Sequence, residues 1–198
     1  MQAVESQTLI LYHTDLRGQW PHAAARAFAA RLPYARRLAL GSGSAAARAS
    51  LAGIAIALQA LARLLGRRVA PGEIRFARGE KPHLATAVDF SISHAGPRVA
   101  CAALAGGRIG LDLETGSDER IAEWVLREAI LKASGEGLRA LREAQDLSVH
   151  AGRVHWRGES WHVRRLADFD GDSACIVCSR EVPAVASHAV ALAELFVT

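Results

Sequence analysis

The segment Ala45–Leu65 constrains this chain more than any other: Leu51, Ile54, Leu58, Leu61 and Leu65 recur at helical spacing, so one face of a long helix is core. That face needs a layer to pack against. Gln59 and Arg63 interrupt the apolar run, which falls short of the roughly 20 clean apolar residues of a membrane span. A core helix is therefore expected, with no membrane partner. The GSGS of Gly41–Ser44 breaks the chain before it and Gly66 ends it.

The covering layer is sought in the strand-like segments. Residues 7–12 (QTLILY) are rich in strand-forming types. Pro21–Arg31 is alanine-rich and helical in character, and from Glu73 the segments IRFA, DFSIS, RVACAAL and RIGLDLE are separated by Gly and Pro, the pattern of an antiparallel meander. A second long helix is expected over Asp118–Ser134, closed by SGEG. Val149–Val177 alternates again, with breaks at Arg157–Gly158 and Asp170–Gly171; the alanine- and valine-rich tail is assigned no element. The chain of 198 residues suits one sizeable core or two small ones. The expected class is α+β: two similar halves, each a small antiparallel sheet packed with a long helix. They meet near Glu114–Asp118, as units 1–115 and 116–198.

A hydrophobic fraction of 51% and a charged fraction of 22% exclude a disordered chain. Lys plus Arg is 24 against 20 acids, a net +4. This suits an anionic small molecule or an acidic partner, and it lacks the concentrated basic face that nucleic acid requires. The N-terminus has no basic stretch followed by an apolar run. With three cysteines, an odd count, reduced thiols and a cytoplasmic protein are expected. Cys175 and Cys178 have no second pair and sit in an apolar strand, which favours buried thiols over zinc. Trp156 and Trp161 read as packing residues.

The chemistry concentrates in residues 81–132. Asp112 and Glu114 stand two apart in Ile-Gly-Leu-Asp-Leu-Glu, so both leave one face of a strand while the other face is apolar. The pattern alone leaves two options open: solvated strand-end acids, or a pair neutralised by a cation or shared proton. Trp124, Glu128 and Lys132 form one stripe of the second long helix, and Glu128 with Lys132 could equally be a surface ion pair. If Glu128 meets the strand acids, three hard oxygen ligands point to Mg²⁺ or Mn²⁺, completed by water and substrate phosphates. Lys81 is presented by a turn. Ser93 and His94 point to opposite strand faces and do not make a nucleophile–base pair.

Gly79-x-Lys81-Pro82, Phe90-x-Ile92-Ser93-His94, Gly110-x-Asp112-x-Glu114 and Trp124-x-x-Arg127-Glu128-Ala129-x-x-Lys132-x-x-Gly135-x-Gly137 together resemble the 4′-phosphopantetheinyl transferases. The closest class is the pseudo-dimeric one that primes carrier proteins of peptide and polyketide synthases. The resemblance spans about Arg36 to Leu138. It implies that Asp112, Glu114 and Glu128 bind Mg²⁺ on the pyrophosphate of coenzyme A. Glu128 would accept the proton of a carrier serine, and Lys132 would stabilise charge on the phosphate and leaving group. Lys81, Pro82, Ser93 and His94 would line the nucleotide and 3′-phosphate pocket, joined by Arg36, Arg37 and Ser50. It further implies an acyl or peptidyl carrier protein as partner, 3′,5′-ADP as product, and a monomer. Two departures stand out. Arg127 replaces the motif's lysine, and nine residues (115–123) join Glu114 to Trp124 where the family has several tens. A coenzyme A-binding relative without turnover is the alternative, and a metal-dependent phosphohydrolase is a third reading.

Overall fold

The computed structural model describes residues 8–33, 43–77, 80–145, 147–167, 169–181 and 184–196. In these, eight strands and three helices follow one another: β1 (Thr8–Asp15), α1 (His22–Ala30), α2 (Ala45–Leu65), β2 (Val88–Ala95), β3 (Arg98–Ala105), β4 (Ile109–Thr115), α3 (Glu119–Ser134), β5 (Arg153–Trp156), β6 (Glu159–Arg165), β7 (Asp172–Cys178) and β8 (Ala184–Ala189). The strands form two four-stranded sheets, ordered β2-β3-β1-β8 and β4-β7-β6-β5. The class is α+β.

The layers stack as helix, sheet, sheet, helix. α2 packs Ala52, Ile54, Ala55, Leu58 and Leu61 on Ile10, Phe90, Val99, Cys101 and Ala103 of the first sheet. Fully burying a large apolar side chain contributes about 1.5–3 kcal/mol, so this face alone anchors the helix. Gln59 and Arg63 notwithstanding, α2 is by length and composition alone apolar enough to cross a membrane, a correction to the expectation from its interrupted run, yet 67% of its apolar window is buried inside the protein. The opposite face of the first sheet (Leu9, Leu11, Ala100, Ala102, Leu104) meets Leu111, Leu113, Ala174 and Ile176 of the second. The outer face of the second sheet (Val154, Trp156, Trp161, Cys175, Val177) receives Val125, Leu126, Ala129, Ile130 and Ala133 of α3. Period-2 alternation in β4 and β7 and period-3.6 spacing in α3 supply these faces.

The local punctuation acts as expected at the helix ends. Ser44 Oγ accepts from Ala47 N at 3.2 Å at the start of α2, and Asp118 Oδ1 from Ile121 N at 3.0 Å at the start of α3. Gly135, in the left-handed conformation (φ 81°), ends α3. All three cysteines are free and buried. Cys175 faces α3 whereas Cys178 faces the first sheet, so the strand's alternation keeps the two thiols from sharing a metal.

Two expectations are corrected. Ile74–Ala77 enters neither sheet; it makes a single bridge, Arg75↔His83. The tail, left without an element, forms β8, which runs parallel to β1 from Thr8↔Ala184 to His13↔Ala189. The first sheet is therefore mixed, not antiparallel. The tail thus lies with the first sheet, and Leu195 and Phe196 join the core under α2. The reason lies in β1, which pairs with β3 on one side only and would otherwise leave a free ladder edge beside a buried core.

Candidate active site

β2 and β4 are edge strands of different sheets, and side chains rather than a backbone ladder join them. Asp89 Oδ2 of β2 accepts from Ile109 N of β4 at 2.8 Å. Ser93 Oγ of β2 donates to Asp112 Oδ1 of β4 at 2.9 Å. The site is this seam together with the helix lying over it.

α3 reaches the seam because of Gly110. A Cβ at that position would stand 1.9 Å from the Ala129 carbonyl oxygen and 2.6 Å from Ala133 N, so helix backbone rests directly on strand backbone. Ala129 and Ala133 flank the approach, and the same helix carries Glu128 and Lys132 to Asp112. Lys132 Nζ donates to Asp112 Oδ1 at 2.5 Å and to Ser93 Oγ at 3.2 Å, and stands 3.8 Å from Glu128 Oε2. The Asp112 side chain is 3% exposed. It is no solvated strand-end acid, and the Glu128–Lys132 pair is no isolated surface pair.

Charge at this point is incompletely neutralised. Asp112 Oδ2 is buried and has no hydrogen-bond partner among the described residues, which leaves one acceptor of the carboxylate unused. Burial pushes the Glu128 carboxyl above the usual glutamate range. The charges of Asp112 and Glu114 push it further, and Lys132 opposes them. The three acids therefore share one electrostatic environment. Among the described residues, however, no three acidic, histidine or cysteine side chains stand close enough to enclose a metal ion as placed. The donors fit a hard cation in type: carboxylate oxygens, one of them orphaned.

A cleft of about 410 Å³ opens beside this network, walled by Lys81, Pro82, Ser91, Ile92, Glu128 and Lys132. Lys81 Nζ donates to Asp89 Oδ2 at 2.6 Å and to the Ile109 carbonyl at 2.9 Å. Burial lowers the Lys81 ammonium below the usual lysine range, and the charge of Asp89 opposes that shift. A larger cavity of about 860 Å³ is lined by Arg67, Arg75, Phe76 and His83 among others. Among the described residues its one acid, Glu73, is already bound by Arg67 at 2.8 Å, and no buried network of opposed charges lies there.

Of the residues singled out in the sequence, Lys81, Pro82, Ser93, Asp112, Glu128 and Lys132 come together. Glu114 is half-buried on the face of Asp112 and makes no side-chain hydrogen bond or ion pair among the described residues. His94 is exposed at the end of β2, on the face away from Ser93, and does not line the cleft. Ser50 lies on α2, also outside the cleft lining. Arg36 and Arg37 lie outside the described residues. Sequence reasoning missed Asp89. A signal existed, because of the 24 basic residues only Lys81 and Lys132 are lysines. In a chain that otherwise uses arginine, both lie in one cleft, each held by an aspartate.

No protein-family model matches the chain, and no curated protein matches it significantly.

Proposed function

We propose that the chain transfers the 4′-phosphopantetheine arm of coenzyme A to a serine of an acyl or peptidyl carrier protein. The observation that carries this reading is the meeting of four sequence blocks at one cleft. Lys81-Pro82, Ser91-Ile92 and Glu128 with Lys132 form its walls, and Asp112 is bonded to both Ser93 and Lys132 at its edge. The two sheet-and-helix layers suit the pseudo-dimeric architecture of the family that those blocks resemble.

In this reading Lys81 and Lys132 receive the polyanionic donor, since an ammonium is a compact charge suited to phosphate oxygens. Asp112, Glu114 and Glu128 would hold Mg²⁺, which supplies charge neutralisation on the pyrophosphate. Mn²⁺ suits the same oxygen donors. The carrier serine oxygen attacks the phosphorus that bears the pantetheine arm. The bond from that phosphorus to the bridging oxygen breaks, and 3′,5′-ADP leaves with the electron pair. Glu128 takes the serine proton as general base. Positioning and charge account for most of catalysis in phosphoryl transfer.

The test is intact-mass spectrometry of carrier proteins incubated with the chain, coenzyme A and Mg²⁺. A mass gain of one phosphopantetheine, lost by about 10²–10⁴-fold in rate in Glu128→Gln, supports the reading. Failure to bind coenzyme A by calorimetry overturns it. A second reading, a coenzyme A-binding protein without turnover, is favoured by the tie between Lys132 and Asp112 Oδ1, which occupies a proposed metal ligand. Binding without transfer would establish it.

A further inference from the structure

We propose that Asp89 is a positioning residue, one that fixes Lys81 so that a single N–H of its ammonium is directed into the cleft. This rests on the reading of the cleft as a coenzyme A site. An ammonium has three donors. Two are committed, one to Asp89 Oδ2 at 2.6 Å and one to the Ile109 carbonyl at 2.9 Å. Tetrahedral geometry sets the third once these two are placed, and Lys81 is a wall of the cleft. Asp89 is itself held, its Oδ1 accepting from Phe90 N at 2.9 Å and its Oδ2 from Ile109 N at 2.8 Å. The clamp therefore spans both sheets, with its acid on β2 and its carbonyl on β4.

The clamp explains the choice of lysine. A planar guanidinium spreads five donors in a fork and cannot concentrate one charge between a carboxylate and a carbonyl. Lys132 is held in the same manner, by Asp112 of β4 and Ser93 of β2. Each lysine thus bridges the two sheets, and each does so through an aspartate on the opposite strand from the other's. Among the described residues, the ionisable groups acting on Lys81 are Asp89 on β2, Cys101 on β3 and Arg108 just before β4. Arg108 opposes protonation, and the buried thiol of Cys101 carries no charge at neutral pH because burial pushes it far up. Among the described residues, Asp89 is left as the group that keeps Lys81 charged in a desolvated place.

The experiment uses the full chain and Asp89→Asn, which keeps an acceptor for Ile109 N and removes the charge. With two lysines in the sequence, amine labelling followed by mass spectrometry reads each separately. The pH of half-labelling at Lys81 is expected to fall by about one unit in the variant, with Lys132 as internal control. As pH rises, the Kd for coenzyme A is expected to begin to weaken about one pH unit earlier in the variant than in the wild type. In Asp89→Asn/Lys81→Arg the pH dependence disappears, because arginine keeps its charge. An unchanged Lys81 labelling profile, or parallel binding profiles in wild type and variant, overturns the proposal. If the variant does not fold, ¹⁵N-lysine spectra of the wild type decide: slowly exchanging Lys81 Nζ protons support the clamp and freely exchanging ones overturn it. Should coenzyme A bind neither protein, the cleft's assignment fails, while the labelling shift still reports on Asp89.

Discussion

The two helix–sheet layers are built alike and do different work. In both, a long helix comes unusually close to a sheet at a glycine. Under α2 the glycine is on the helix: a Cβ on Gly53 would stand 2.6 Å from Ile92 Cγ2 and 3.6 Å from Val99 Cγ1. Under α3 it is on the strand, and a Cβ on Gly110 would stand 1.9 Å from the Ala129 carbonyl oxygen. In the first layer the close approach brings alanine and isoleucine onto apolar strands. In the second it brings Lys132 within 2.5 Å of an aspartate two residues beyond the glycine. The same packing device makes a core in one place and a charged site in the other. The difference lies in what the neighbouring positions carry.

The contrast implies unequal tolerance. Gly110→Ala opposes backbone to backbone, and neither side can move without shifting α3. We expect a loss of more than about 3 kcal/mol by urea denaturation, or no folded protein. Next comes Lys132→Met, which leaves the Asp112 carboxylate buried without its cation. A loss of about 3 kcal/mol is expected, and a neutral effect in the same denaturation series would show that the pair is not structurally coupled. Gly53→Ala should cost only about 1–2 kcal/mol, since a side chain can yield and alanine recovers about 1 kcal/mol of helix propensity. If it costs as much as Gly110→Ala, the two approaches are not different in kind.

A smaller effect separates the charged layer from the apolar one by its sign. The folded-state pKa of Glu128 is raised, chiefly by burial. The folded protein then holds this proton more tightly than the unfolded chain, so stability falls as pH rises from the unfolded pKa through the folded one. Glu128→Gln should therefore raise the Tm of metal-free protein at neutral pH, and the gain should vanish below about pH 4. A lower Tm across the whole range would contradict a raised proton affinity of Glu128 in the folded protein. The smallest effect is at the surface: Arg17→Met breaks an exposed pair with Asp15 at 2.5 Å. It should change the urea midpoint by no resolvable amount, because exposed ion pairs are screened.

The sequence by itself determined the local elements and the chemical content of the site. The apolar stripe of α2, the alternation of β4, the caps at Ser44 and Asp118 and the 128/132 stripe follow from short-range periodicity and sterics. Of the six residues that come together, Asp112, Glu128 and Lys132 could be named from their spacing on strand and helix, and Lys81, Pro82 and Ser93 from the resemblance of their blocks. Only the tertiary structure decided the rest. The tail's partner, β1, is fixed by a buried ladder edge more than 170 residues away in sequence. Asp89 looks like one ordinary strand acid until β4 lies beside it. The tie between Lys132 and Asp112 depends on a backbone contact at Gly110 whose closeness no local pattern encodes. Hydrogen bonds and ion pairs act over a few ångströms, and which distant residues come within that range is settled by how whole layers pack.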